Sequence, residues 1–135
     1  MVNFENGKIP INDTNLNKMQ TDLQEEIEIT KGTVLYEDET GTLGNVTLND
    51  DATNYKYIEV FGYRSNRNLY TKVRTNKPYF DLNHIRYFNN AFYIYAKEYS
   101  INGSMLNVEH SKFTYTDSAI QEETETYITK VVGYK

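Results

Sequence analysis

Apolar and polar residues alternate with a period of two over most of this chain, and that period predicts β-strands. The clearest case is the run 55–63, YKYIEVFGY. Its Ile58 and Val60 face one way, and Tyr57, Glu59, Phe61 and Tyr63 face the other, so Ile58 and Val60 are expected in the core. A polar turn over 64–68 leads to a return strand, LYTKVR, which brings Tyr70 and Val73 back beside it. Upstream, Thr33 to Tyr36 reads as the first main strand, 37–42 as an acidic loop ending in Thr40-Gly41, and 43–48 (LGNVTL) as a second strand. Downstream, Pro78 marks a break, because proline lacks the ladder donor. Short β-like pieces follow at 79–82 and 85–88, then a turn at Asn89-Asn90. The segment 116–125 is polar and acidic and reads as a loop. The chain closes with the strand TYITKVVGY, burying Ile128 together with Val131 or Val132.

The longest β-prone stretch, 91–115, is interrupted by Asn102-Gly103. Asn-Gly is the strongest short hairpin signal, because a type I′ turn needs positive φ at both central residues. With those two residues at the centre, Tyr99 opposes Leu106, Tyr95 opposes His110, and Tyr93 opposes Lys112 on one face. The other face then carries Phe92 against Phe113 and Ile94 against Ser111. This reading gives a long twisted hairpin whose base sits in a core and whose tip projects or meets a partner. A bulge would shift the register.

Before the strands the period is different. Leu16, Met19 and Leu23 recur at spacings of three and four with polar residues between, the pattern of a helix with a narrow apolar seam. Asn12 or Asp13 is placed to cap its first turn. About three turns are marginal alone in water, so the helix needs a partner. That partner is either its own sheet or other copies of itself, which makes Leu16, Met19 and Leu23 the oligomerisation candidates. At Ile27-Glu28-Ile29-Thr30 the period switches to two, and Lys31-Gly32 reads as a turn. The expected organisation is a lead-in and short helix over 1–26 and a single β-domain over 27–135. The fold class is mainly β: an antiparallel β-sandwich or jelly-roll-like domain preceded by a short N-terminal α-helix.

Composition narrows the chemistry. The 135 residues include no Cys, which removes disulfides, thiolate metal sites and a cysteine nucleophile. A net charge of −5 argues against a phosphate-backbone partner, so no nucleic acid is expected. The opening, MVNFENGKIP, is polar and does not read as a signal peptide, and no apolar run approaches membrane-spanning length. With only His84 and His110 as histidines, and no HExxH, calcium-loop or GxxxxGK pattern, neither a metal nor a cofactor is expected. No GxSxG elbow occurs, and a pair of glycosidase carboxylates is recognisable only by spacing in space. The distinctive feature is 13 Tyr with no Trp. Tyrosine fills strands, and it also recurs at binding surfaces as rigid apolar area with a polar handle.

The run NGKIPINDTNLNKMQTDL, with Pro10-Ile11-Asn12, Asn15-Leu16-Asn17-Lys18 and Met19, resembles the opening of tail-fibre, baseplate and receptor-binding proteins of phages and prophages of Gram-positive bacteria. The section 44–70 and the ending 128–134 (ITKVVGY) are similar to a β-domain and a last strand of the same group. The resemblance implies a non-enzymatic virion tail component, made in the bacterial cytoplasm and assembled as a homotrimer with other tail proteins. It implies the helix near the attachment end and the β-domain outermost, contacting host cell-wall saccharide. Aromatic faces and hydrogen-bonding side chains suit shallow sugar sites, so Tyr93, Tyr95, Tyr99 and His110 are the candidate ligand contacts, with Tyr57 and Tyr63 as additions. Two alternatives stand beside this reading: a purely structural baseplate or fibre connector without a receptor, and a small glycan-active enzyme.

Overall fold

Burial along the chain follows the strand period. In β3 (Tyr57–Arg64), Ile58, Val60 and Gly62 are buried, while the residues between them are only partly covered. A computed structural model of the protein describes residues 13–122 and 125–135. The lead-in expected over the first residues, and Asn12 as a cap, lie outside the described residues. The elements are α1 (Asp13–Lys31), β1 (Thr33–Thr42), β2 (Val46–Thr47), one 3-10 turn (Ala52–Asn54), β3, and β4 (Arg67–Arg74). They continue with β5 (Tyr79–Asp81), β6 (His84–Phe88), β7 (Ala91–Asn102), β8 (Met105–Tyr115), β9 (Gln121–Glu122) and β10 (Thr126–Tyr134).

The strands form two antiparallel sheets. One has the order β1-β10-β3-β4. The other has the order β2-β8-β7-β5, with β6 also pairing β7 and β9 also pairing β8. A single core joins them. Leu35, Ile58, Val60, Leu69, Val73, Ile128 and Val131 come from the first sheet, and Val46, Phe80, Tyr99 and Leu106 from the second. The protein is therefore a β-sandwich preceded by one helix. The closing strand β10 lies between β1 and β3, so the last residues of the chain hold the centre of their sheet.

Three expectations are corrected. First, α1 runs through Ile27–Thr30 to Lys31 instead of stopping where the alternation begins. Four alternating residues are too few to outweigh a helix already propagating. The helix stops at Gly32, whose φ of +76° is the left-handed C′ conformation that favours glycine. A Cβ there would sit 2.6 Å from Val132 Cγ1, so this glycine also lets the helix end close against β10. Second, the acidic segment 37–42 belongs to β1. Glu37 pairs with Lys130 and Thr42 with Ile128, and the residues between leave the ladder as an excursion turned by Asp38, which accepts from Thr40 N–H at 3.0 Å. Of the second expected strand, only Val46–Thr47 pairs.

The third correction concerns the long hairpin. Its central pair is Gly103-Ser104, closed by Asn102 against Met105. Gly103 has φ +60°, and Ser104 is not among the positive-φ residues, so the turn follows the II′ pattern with glycine first. Leu48 N–H donates to Ser104 O at 2.7 Å and Ala52 N–H to Gly103 O at 3.0 Å. The tip is thus covered by the chain around the 3-10 turn. Tyr99 and Leu106, near that tip, are fully buried. The greasy base is the exposed end, where Phe92 and Ile94 face outward.

Candidate functional site

A bulge in the long hairpin creates the site. Near the tip Tyr99 pairs with Val108, but the next pair is Glu98 with His110, leaving Glu109 as the extra residue. One inserted residue moves every later side chain of β8 to the other face. With the turn already displaced by one position, which moves each partner by two, the bulge adds one more, so the partners of Tyr95 and Tyr93 become Phe113 and Tyr115 in place of His110 and Lys112. The inward face of the sheet becomes a series of rungs across β6, β7 and β8. His84, Tyr95 and Phe113 form one rung, and Arg86, Tyr93 and Tyr115 form the next.

These rungs are packed as ring ladders. Tyr95 lies 4.9 Å from Phe113 at 9° between planes, His84 lies 5.8 Å from Tyr95, and Tyr93 lies 5.4 Å from Tyr115. Each such pair contributes about 0.5–1.5 kcal/mol beyond its buried area. Burial falls along the series: Tyr99 is fully covered against Phe80, Tyr95 is buried, Tyr93 is half-buried, and Tyr115 is 40% exposed. The sandwich is sealed at the hairpin tip and opens toward the hairpin base.

The opposite sheet closes over this mouth with cations. Arg64 ends β3 on the same face as Ile58 and Val60, and pairs directly with Arg67 across a two-residue hairpin turn. The Arg64 guanidinium carbon stacks 3.3 Å above the Tyr95 ring centroid, a cation–π contact strengthened by exclusion of water. Arg64 also pairs with exposed Glu125 at 3.4 Å. Arg64, Ser65, Asn66, Arg67, His84 and Arg86 line a cavity of about 310 Å³. Burial, then Arg64, Arg67 and Arg86 in turn, hold the His84 imidazole below the ordinary 6.5. As pH falls below 6.5 the unfolded chain takes this proton before the folded one, so His84 erodes stability on the acid side.

Deeper in the sandwich, Lys97 is 2% exposed. Its ammonium donates to Leu43 O at 2.5 Å and Thr126 O at 2.8 Å, and lies 5.5 Å from the Tyr99 ring centroid. The charge is thus held by carbonyl dipoles and a ring face, which offsets part of the cost of burying it. It ties β7 to the chain after β1 and to the start of β10.

Of the residues singled out from sequence, Tyr93 and Tyr95 belong to the mouth. Tyr99 is sealed in the core, and His110 faces away on the outer side of β8. Tyr57 and Tyr63 lie on the outer face of the other sheet, where Tyr63 stacks on Tyr127 at 5.1 Å. On α1, Leu16 and Leu23 are 44% and 58% exposed, and Met19 is half-buried. Sequence reasoning missed Arg64, Arg67, Arg86, His84, Phe113 and Tyr115. The signal within reach was the turn at 64–68: a two-residue loop there places two arginines opposite each other.

No protein-family profile matches the chain, and no curated protein matches it. The chemistry is read from the mouth itself. Among the described residues, no three carboxylate or imidazole side chains gather as a metal-binding set, and no helix is long and apolar enough to cross a membrane.

Proposed function

We propose that this protein is a non-enzymatic component of a phage tail, at a fibre or baseplate tip, whose β-sandwich binds saccharide on the host cell surface. The tail assignment is supported by the sequence resemblance of both ends and the middle of the chain. The binding assignment is carried by one observation: the partly exposed aromatic surface of Tyr93, Phe113 and Tyr115 beside the buried Tyr95–Arg64 stack at the open end of the sandwich. Aromatic rings present apolar faces to a pyranose, and guanidinium groups donate in a planar fork to its oxygens. The separate cavity lined by Arg64, Ser65, Asn66, Arg67, His84 and Arg86, at about 310 Å³, is near the lower end of the size range of small-ligand pockets.

Labelled protein is expected to be retained on host cells and on their isolated wall saccharide. Tyr115→Ala, an exposed site that leaves the core intact, is expected to weaken retention by up to about tenfold, since packing on one aromatic ring is worth about 0.5–1.5 kcal/mol. Retention unchanged by Tyr115→Ala would remove the mouth as the binding site.

A second reading, a structural connector without a receptor, is favoured by a different feature. Ile85, Tyr87, Phe92 and Ile94 form an exposed apolar strip on the outer face of β6 and β7, where Ile85 pairs with Ile94 and Tyr87 with Phe92. Contiguous apolar strips of this kind mark protein contacts. The connector reading predicts stable assembly with another tail protein and no retention on cells.

A further inference from the structure

We infer that the outer face of the sheet β1-β10-β3-β4 is a docking surface for the helix α1 of a second copy of this chain. The contact is independent of the saccharide-binding reading. Its first support is that α1 is left open by its own sandwich. The C-terminal end of the helix is seated on β10, where a Cβ on Gly32 would lie 2.6 Å from Val132 Cγ1. Away from that end, residues 20–25 are all exposed, and the seam residues Leu16 and Leu23 are 44% and 58% exposed. Helices in proteins draw most of their stability from packing an apolar side, and this side is unpacked. The 19 residues of α1 span about 28 Å, enough to cross a four-stranded sheet of roughly 14 Å between its outer strands.

The second support is the surface itself. On the face turned away from Ile58 and Val60, the register sets Val34, Val132, Glu59 and Lys72 in one row. Tyr134, Tyr57 and Arg74 form the row on one side of it, and Lys130, Phe61 and Tyr70 the row on the other. Tyr70 is 52% exposed and Val34 42% exposed, and Phe61 packs on Tyr70 at 5.2 Å. Apolar groups set between polar ones suit a seam as thin as Leu16, Met19 and Leu23.

The third is charge complementarity. α1 carries Asp13, Asp22, Glu25, Glu26 and Glu28 against Lys18 and Lys31. At about 3.6 residues per turn, Asp22 falls beside the seam and Lys18 on the far side. On the sheet, Lys72, Lys56 and Arg74 surround the Tyr57 ring at 4.9, 5.8 and 5.8 Å. Glu59, opposite Lys72, is engaged by the Tyr70 and Tyr134 hydroxyls, and Glu37 stands opposite Lys130. Neither Lys56 nor Arg74 has an ion-pair partner among the described residues. An acidic helix thus meets a cationic sheet border, and complementary charges of this kind fix orientation and register. A helix-to-sheet contact is head-to-tail, so it is completed by closing a ring of copies.

Light scattering of the full chain on a sizing column, with variants on both sides of the contact, tests this. The native chain is expected to run above the 15.8 kDa monomer. Leu23→Asp on the seam and Tyr70→Ser on the sheet are each expected to shift it to monomer. Asp22→Lys and Arg74→Glu are each expected to raise the dissociation constant about fivefold. Mixing the Asp22→Lys chain with the Arg74→Glu chain is expected to restore association, because the reversed helix of one copy then meets the reversed sheet of another. Lys112→Glu, on the outer face of the other sheet, is expected to leave the mass unchanged. All of these positions but Tyr70 and Leu23 are exposed charges, and circular dichroism checks that every variant is folded. A monomeric native chain would overturn the inference. So would assembly lost in Leu23→Asp but untouched by Tyr70→Ser and Arg74→Glu, the result for helices packed seam to seam. A mixture no more associated than its two components would overturn it as well.

Discussion

At the scale of single residues, the account turns on cations placed where a sandwich normally keeps apolar side chains. Lys97 occupies a β7 position whose neighbours on the same face, Tyr95 and Tyr99, are buried, and it is satisfied by two backbone carbonyls. Lys97→Ala leaves both carbonyls without their donor and opens a cavity, so it is expected to cost about 2–4 kcal/mol. Lys97→Met keeps most of the volume and is expected to cost less. Chemical denaturation of the two variants checks the order; equal stability of Lys97→Ala and the native chain would show that the buried charge contributes nothing. The sequence carried no mark of this role, because a lysine in an alternating strand is indistinguishable from one on a solvated face. Ile58 and Val60 were legible for the opposite reason: branched apolar residues flanked by polar ones leave one face for the core, and both are fully buried.

At the scale of elements, turns and bulges decide what each strand presents. The Asn89-Asn90 turn was legible, and it has positive φ at both residues, 53° and 62°, between Phe88 and Ala91. That is the I′ pattern, for which glycine is the favoured second residue. Asn90→Gly is therefore expected to stabilise the protein by about 0.5 kcal/mol and raise its melting temperature slightly. A fall in melting temperature would contradict the turn assignment. At Asn102-Gly103 the same signal gave the wrong central pair, because Gly-Ser satisfies II′ as well as Asn-Gly satisfies I′, and tertiary hydrogen bonds to Gly103 O and Ser104 O accompany the observed choice. The bulge at Glu109 left no composition signal at all. Yet it moves His110 to the outer face and brings Phe113 and Tyr115 to the inner one, which makes the aromatic rungs. Tyr93 and Tyr95 could be placed together by their spacing alone; their partners on β8 required the bulge.

At the scale of the whole molecule, the two ends of the sandwich differ in kind. The hairpin-tip end is closed by Leu48, Ala52 and Tyr55 over Tyr99 and Leu106. The hairpin-base end is open, with Arg64 and Arg67 on one sheet and His84, Arg86 and the aromatic rungs on the other, and an apolar strip outside it. The helix meets the sandwich chiefly at β10 and keeps Leu16 and Leu23 largely exposed. A threefold assembly around that seam predicts a solution mass near three times 15.8 kDa by light scattering, reduced by Leu16→Asp. A monomer mass for the native chain would remove the trimer and leave the mouth unaffected. The mouth is the central claim, and binding of purified wall saccharide by the native chain, measured by calorimetry beside Tyr115→Ala, tests it most directly. The account predicts saturable binding by the native chain and binding weaker by up to about tenfold in the variant. No heat of binding from the native chain, or equal affinity in both, would contradict it.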